Sequence, residues 1–381
     1  MKKLSVFYWC PFISKVATVK AVINSALSLN KYSKGEYNPT IINSFGEWDE
    51  LEKDLSQKKI CLSKKLINFK FLKLDLKGFL FSRIKYFIIF IIGFFPLMYF
   101  LKKNKPNYLI IHLVTSLPIV LFSLVNFQTK LILRISGLPK LNFHRKILWR
   151  FASKNIYKIT CPTKETYERL KKIKEFESKV YLLRDPILIS SEICSKRKKI
   201  ITKQLPKNDF ILSIGRLTKQ KNYEFLINNF AKINLKNLDL LIIGNGELKG
   251  HLIKKIKELN IDNKVYFIDI ADNVFQFLNQ CKYFVMTSLW EDPGFVLVEA
   301  AFMNKTILSS NCPSGPREIL SEGKGGFLFK SNDSEDFIKQ FNLMTDTSKN
   351  DLLNKQINAK NITKEFTTFR HYKNLKKLLI I

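Results

Sequence analysis

Apolar residues along this chain fall into short blocks that alternate between strand length and helix spacing. Leu4–Trp9, LSVFYW, is a continuous apolar run of strand length, closed by a turn at Pro11. Around Val16–Leu29 the spacing becomes helical, with Val16, Val19, Val22 and Ile23 on one face. Tyr108–Leu113 and Lys130–Ile135 read as strands, with an apolar helix after Ser116 between them and SGLP closing the second. Tyr157–Cys161 is another strand, and PTKETYERL after it starts a helix with Thr163 as cap and Glu165 beside it. A second alternation follows. Phe210–Ile214, Leu238–Ile243, Val265–Phe267, Tyr283–Thr287 and Lys305–Ser309 read as strands. Tyr223–Lys232, Gly250–Leu259 and a stretch through Glu299–Phe302 read as helices, and a basic amphipathic helix follows Phe369. Strands alternating with helices predict parallel α/β sheets. No short repeat is visible, and two runs predict two doubly wound domains of similar size with a cleft between them. The expected boundaries are 1–192 for the first domain, 193–207 for a polar, basic linker containing SKRKK, 208–358 for the second domain, and 359–381 for a helical C-terminal segment.

One block breaks the pattern. Tyr86–Leu101, YFIIFIIGFFPLMYFL, carries no charge and is bordered by Lys85, Lys102 and Lys103. Its 16 residues reach ~24 Å as a helix, short of a ~30 Å hydrocarbon core. Pro96 also argues against a straight span. Docking on a membrane surface, an ordinary buried helix and a true span are the three readings, and length and Pro96 favour the first. The N-terminal stretch MKKLSVFYWCPF fits a first buried strand better than a signal peptide, because its apolar run is short and broken by Pro11.

The chain has 381 residues, 46% of them apolar and 25% charged, with 14 Gly and 12 Pro, which excludes collagen-like and disordered classes. Its net charge is +32, and only 10 of the 64 basic residues are Arg. Between Lys58 and Lys105 there are twelve Lys or Arg against one acid, Asp75. Lys is a hydrated point charge, so this excess suits diffuse attraction to an anionic surface more than bidentate readout. Nucleic acid and an anionic membrane are the two partners it allows, beside a Lys-rich composition with no partner. Six Cys at long, irregular gaps, with no CxxC pair, fit isolated thiols in a reducing compartment.

Three loops after strands carry candidate chemistry. In ILSIGRLTKQKN a strand delivers Gly215, Arg216 and, five residues later, Lys221, two cations suited to a diphosphate. In LLIIGNGEL a strand ends in Gly244 and Gly246, where backbone approaches a ligand closely or simply turns. In SLWEDPGFVLVEAA, seven residues separate Glu291 from Glu299, with a turn at Pro293 and Gly294. A helix opening at Phe295, Val296 and Leu297 presents backbone N–H groups to a phosphate. Glu299, a turn in, faces ribose hydroxyls, and Glu291 is aimed at what the phosphate carries.

GRLTKQKN and EDPGFVLVE, in this order and spacing, resemble the donor-binding half of the retaining glycosyltransferases of family four, which have the GT-B fold. The match covers about Phe210–Phe329, and CPSGPREIL resembles the following loop in members that build surface polysaccharides. The resemblance implies an α/β, GT-B architecture: two Rossmann-like domains facing across a cleft, with a C-terminal helix packing back toward the first. It implies that Arg216 and Lys221 hold the diphosphate of a nucleotide sugar, UDP- or GDP-linked, that Glu299 binds ribose, and that Glu291 approaches the donor sugar. His112, at the end of YLIIHLVTS, matches the place of an active-site His in the family; His144, His251 and His371 have no such context. Arg134, at another strand end, is an acceptor-side candidate. The first loop, Cys10–Thr18, departs from the family in lacking glycine.

The implied reaction is retaining sugar transfer without a metal, since no DxD-like pair stands at a strand end of the second half. No carboxylate is named as a covalent nucleophile, so front-face attack is expected. The acceptor is a glycan or lipid-linked glycan at the cytoplasmic face of the cell membrane. A nucleic-acid binder, suggested by the charge, would interleave aromatics with basic residues, whereas here aromatics gather in the uncharged run. A sugar-nucleotide binder without activity is the other alternative.

Overall fold

The computed structural model describes residues 3–13, 17–68, 79–137, 143–199, 205–233 and 237–380. The chain divides into two compact units, Met1–Pro186 with Thr368–Ile381, and Ile187–Thr367. Val16, Leu138 and Pro139 lie outside the described residues.

In the first unit β1 (Leu4–Trp9), β2 (Tyr37–Ile41), β3 (Cys61–Leu62), β4 (Tyr108–Ile111), β5 (Lys130–Arg134), β6 (Ile156–Cys161) and β7 (Val180–Leu182) form one sheet. Its order is β3-β2-β1-β4-β5-β6-β7, with parallel pairing throughout. Strands covered on both faces need continuous apolar sequence, which β1 and β4 have. The helices are α1 (Ala17–Tyr32), α2 (Glu52–Gln57), α3 (Phe79–Asn104), α4 (Ser116–Leu124), α5 (Phe143–Ser153) and α6 (Lys164–Lys171). Thr163 caps α6 as expected, accepting from the Thr166 N–H at 3.4 Å.

The second unit opens with α7 (Ser190–Lys196) and holds β8 (Asp209–Ile214), α8 (Tyr223–Phe230), β9 (Leu238–Ile243), α9 (Lys249–Glu258), β10 (Val265–Ile268), α10 (Val274–Gln280) and β11 (Tyr283–Met286). It continues through α11 (Phe295–Phe302), β12 (Thr306–Ser310), α12 (Pro316–Ile319), β13 (Phe327–Phe329), α13 (Ser334–Asp346) and α14 (Lys349–Thr363). Its sheet, β10-β9-β8-β11-β12-β13, is also parallel. The last helix, α15 (Thr368–Leu379), belongs to the first unit. There Tyr372, Leu375, Leu378 and Leu379 join Val22, Leu29 and Tyr8 under one face of the sheet. On the opposite face Leu97 and Leu101 of α3, Leu117 and Phe122 of α4 and Ala152 of α5 pack on Trp9, Ile111 and Leu133.

Two sequence expectations shift. The division falls at 186/187 and 367/368 rather than at 192 and 358, and the start of the expected 193–207 linker is the end of α7. Ile193 is buried in the core of the second unit, so this stretch is held by packing, its basic composition notwithstanding. The apolar run is longer as a helix than as an uncharged block. α3 continues through Pro96 for 26 residues, and its most apolar 18-residue stretch, within Arg83–Asn104, has mean hydropathy 2.1 with 28% of its residues buried. Its rows are opposed: Lys85, Ile89, Gly93, Leu97 and Leu101 are buried, whereas Arg83, Phe87, Ile91, Phe95, Tyr99 and Lys103 are exposed. One apolar face is packed on the unit and the other is open, unlike either a core helix or a helix ringed by lipid.

Candidate active site

In open parallel sheets, ligands gather beyond the carboxyl ends of strands where the strand order reverses. That place lies between β8 and β11 in the second unit and between β1 and β4 in the first. The candidate residues lie at these two places, and each unit is described by itself.

In the second unit, β8 runs into Gly215 and Arg216, and a short turn brings Lys221 to the end of β11. The Lys221 ammonium donates to Glu291 Oε1 in a partly buried ion pair, and Ser288 Oγ donates to the same oxygen at 2.6 Å. Thr287 Oγ1 donates to the Lys221 carbonyl at 3.0 Å, and Leu289 N–H to the Gln220 carbonyl at 2.8 Å, which ties the two loops together. Arg216 is exposed in the same loop. Gly294 caps α11 with φ +91°, and a Cβ there would stand 3.4 Å from Glu291 Cγ. Its carbonyl accepts from Leu297 N–H at 3.1 Å and Val298 N–H at 3.3 Å. Of the three expected helix-start amides, Leu297 is therefore used internally. The N–H groups of Phe295 and Val296 have no acceptor among the described residues. One cation, two free amides and a second, exposed cation on one loop pair are groups suited to an anion. Glu299 is buried on α11, 4% exposed.

The glycines of GNG have a packing task. A Cβ on Gly244 would lie 1.8 Å from the Gly215 carbonyl oxygen, and one on Gly246 would lie 2.4 Å from that of Leu217. Leu217 N–H donates to the Asn245 carbonyl at 3.0 Å, and Leu248 N–H to the Leu217 carbonyl at 3.1 Å. These glycines let the two loops close on each other and so fix the Arg216 loop. Sequence reading also missed Ser288 and Tyr223. The Tyr223 hydroxyl donates to the Gly215 carbonyl at 3.3 Å, and burial above all, with Glu291 adding to it, holds the phenol protonated. Ser288 had a signal, three residues ahead of Glu291 in an apolar strand exit.

In the first unit His112 follows β4 directly, its N–H donating to the Trp9 carbonyl at 2.9 Å. It is 8% exposed, and neither ring nitrogen has a hydrogen-bond partner among the described residues. Burial, then the Arg134 charge, then His371 lower its pKa well below that of a free imidazole, so the ring is neutral at pH 7. A buried polar ring with two orphaned nitrogens is costly unless a ligand completes it. Arg134, at the end of β5, is held in an ion pair. Its Nε donates to Asp185 Oδ1 at 2.9 Å, a second nitrogen contacts Oδ2, and both side chains are buried. A buried guanidinium needs a carboxylate, and Asp185 supplies it. His371 is also buried. Its Nδ1–H donates to the Arg184 carbonyl at 2.7 Å, so Nε2 accepts from Ser25 Oγ at 2.8 Å, and Ser25 Oγ accepts from the Tyr8 hydroxyl at 2.9 Å. The His144 side chain lies outside the described residues, and His251 is on the surface beside Glu224.

Comparison with known proteins finds a family that these loops resemble. Residues 196–363 match the model of the glycosyl transferases group 1 family. The chain is 32% identical over 251 residues to an uncharacterized glycosyltransferase of Methanocaldococcus jannaschii, covering 59% of this chain and 61% of that one. It is 32% identical over 143 residues to N-acetylgalactosamine-N,N'-diacetylbacillosaminyl-diphospho-undecaprenol 4-alpha-N-acetylgalactosaminyltransferase of Campylobacter jejuni, covering 38% of this chain and 39% of that one. The chain thus spans less than two thirds of these curated relatives. In fold it is similar to Anabaena HepE, solved with UDP and glucose, at TM-score 0.72 and 15% identity over 99% of both chains. Residues 196–363, within the second unit, are thus similar in sequence to the glycosyl transferases group 1 family, and the whole chain has a GT-B fold.

Proposed function

We propose that this chain transfers a sugar from a nucleotide-sugar donor, UDP- or GDP-linked, to a glycan or lipid-linked acceptor, with retention of configuration and without a metal, in the synthesis of a surface polysaccharide or glycolipid. The observation that carries this reading is the meeting of Lys221 and Glu291 beside the free Phe295 and Val296 amides, at the strand-order reversal of the matched domain. In it Lys221, exposed Arg216 and the two amides neutralise the charge that grows on the leaving nucleoside diphosphate. As Lys221 turns to the phosphates, Glu291 is released toward the donor sugar, still oriented by Ser288. Glu299 takes the ribose hydroxyls. His112, neutral, holds sugar hydroxyls with its two unused nitrogens. Glu291 is the one carboxylate assigned to the sugar, and it serves by hydrogen bonding, so the acceptor hydroxyl attacks from the face the diphosphate leaves.

The HepE complex supports a UDP-linked donor, and the Campylobacter jejuni relative's name, with its diphospho-undecaprenol, supports a lipid-linked acceptor. The exposed row of α3 and its flanking cations support docking on an anionic membrane surface, on the cytoplasmic face where such donors are made available. The test incubates the chain with UDP- and GDP-sugars and lipid-linked acceptors and reads the product anomer by NMR. A retained anomer, formed equally with EDTA present, is expected. An inverted anomer would overturn the front-face mechanism. Release of no sugar from any donor, with nucleoside diphosphate still bound, would leave the non-catalytic binder as the reading.

A further inference from the structure

Large apolar side chains are exposed on three consecutive helices of the first unit. On α3 they are Phe87, Ile91, Phe95 and Tyr99. Leu124, the last residue of α4, is 71% exposed, and Phe151 of α5 is 70% exposed, with Ile147 one turn before it at 41%. α3 packs on α4 and α4 on α5, and all three cover the same face of the sheet, with α1 and α15 on the other. Helices packed side by side on one layer share an outer surface. None of the three contains an Asp or Glu. Lys102 and Lys103 continue the α3 row three and four residues beyond Tyr99, and exposed Lys154 follows α5.

We propose that the membrane-facing surface is a platform of α3, α4 and α5, and that α5 inserts Phe151 and Ile147 into the same anionic bilayer as the α3 row. The proposal rests on the docking reading above and extends it to a second anchor. Charge selects the occupant. A second copy of the chain would bring together two cation-edged faces built on helices that carry no acid and leave most of their charges unpaired, whereas anionic headgroups neutralise them and acyl chains take the apolar side chains. Two lines of anchors also fix rotation about α3, which one helix alone leaves free.

The test uses the full chain and vesicles of phosphatidylcholine with phosphatidylglycerol carrying brominated acyl chains. Tryptophan reporters are placed as F95W on α3, F151W on α5 and F369W on α15, the last on the opposite face of the sheet. Loss of fluorescence in F95W and F151W, with F369W unchanged, is expected. Partition of L124S/F151S into these vesicles should fall about tenfold, with Tm unchanged because both sites are on the surface. Quenching of F95W alone would overturn the platform and leave α3 docking standing. Quenching of neither, in a protein that fails to bind vesicles, would overturn the docking reading itself. Quenching of neither, with a dimer in sedimentation, would assign the face to a second copy and overturn the proposal.

Discussion

Lys221 has two anionic claimants, Glu291 in this structure and a diphosphate in the proposed reaction, and it cannot serve both fully. Removing the lysine takes a charge-assisted contact from the phosphate, so Lys221→Ala should weaken nucleoside-diphosphate binding by about 1.5–3 kcal/mol. Removing the competitor should do the opposite. Glu291→Gln is expected to bind UDP or GDP more tightly than the native chain while its kcat falls, since the glutamate's contact belongs to the sugar. Calorimetry and turnover on the same preparations read both, and unchanged affinity in Glu291→Gln would mean the pair does not gate the site. Gly244 is a second test at this scale. A methyl group 1.8 Å from the Gly215 carbonyl forces the two loops apart. Gly244→Ala should therefore cost about 1–3 kcal/mol in urea unfolding and lower donor affinity as well, although the residue touches no donor in this account.

At the scale of elements, β1 and β9 match their sequence reading residue for residue, and most other core strands match within one residue at each end. Their apolar runs are continuous because both faces are covered. β2, β3, β7 and β13 were not legible. Pro39 interrupts β2 and is tolerated there because β3 pairs only with Thr40 and Ile41. The others are two or three residues long, below any periodicity. The second-unit site was legible because a linear motif carries it. The Arg134–Asp185 pair and the His371 network were not, because their members are brought together by α15 and by the chain crossing. That network has a pH signature. Burial brings the His371 pKa down to about 4, against about 6.5 when unfolded, so the unfolded state binds the proton more readily. Its contribution is intact above pH ~6.5 and is lost as pH falls toward 4, up to about 3 kcal/mol. Glu47 has the opposite sign. Burial raises its pKa to about 7, despite N–H donors from Phe45 and Ser44, so its burden on stability grows as pH rises from ~4.5 to 7. Urea unfolding between pH 5 and 7.5 should show a flatter loss on acidification in His371→Gln than in the native chain. It should show a gain in the upper half of that range in Glu47→Gln. Parallel profiles for all three would refute the assignment.

At the scale of the whole molecule, the proposed docking joins the net charge of +32 to the exposed row of α3 on an anionic surface. Binding to anionic vesicles should weaken steeply with salt and leave an apolar remainder, and binding equal on neutral vesicles would refute the electrostatic part. Stability of the first unit depends on the far end of the chain. Tyr372, Leu375, Leu378 and Leu379 are buried in its core, together about 6–12 kcal/mol of apolar burial, comparable to the whole stability of a domain. Removing residues from Thr368 onward should unfold the first unit and leave the second protected, as read by hydrogen exchange.

The same helix sets an order of assembly. The ribosome makes α15 after every residue of the second unit, so the N-terminal unit, made first, is completed last. Vectorial folding, which ordinarily closes an N-terminal domain while the rest is still being synthesised, is inverted here. Through that interval the nascent first unit shows two sticky faces, the bed awaiting α15 and the open row of α3. Chaperones would meet it on the first and lipid on the second, and early contact of α3 with the membrane would hold the half-built unit until its last helix emerges.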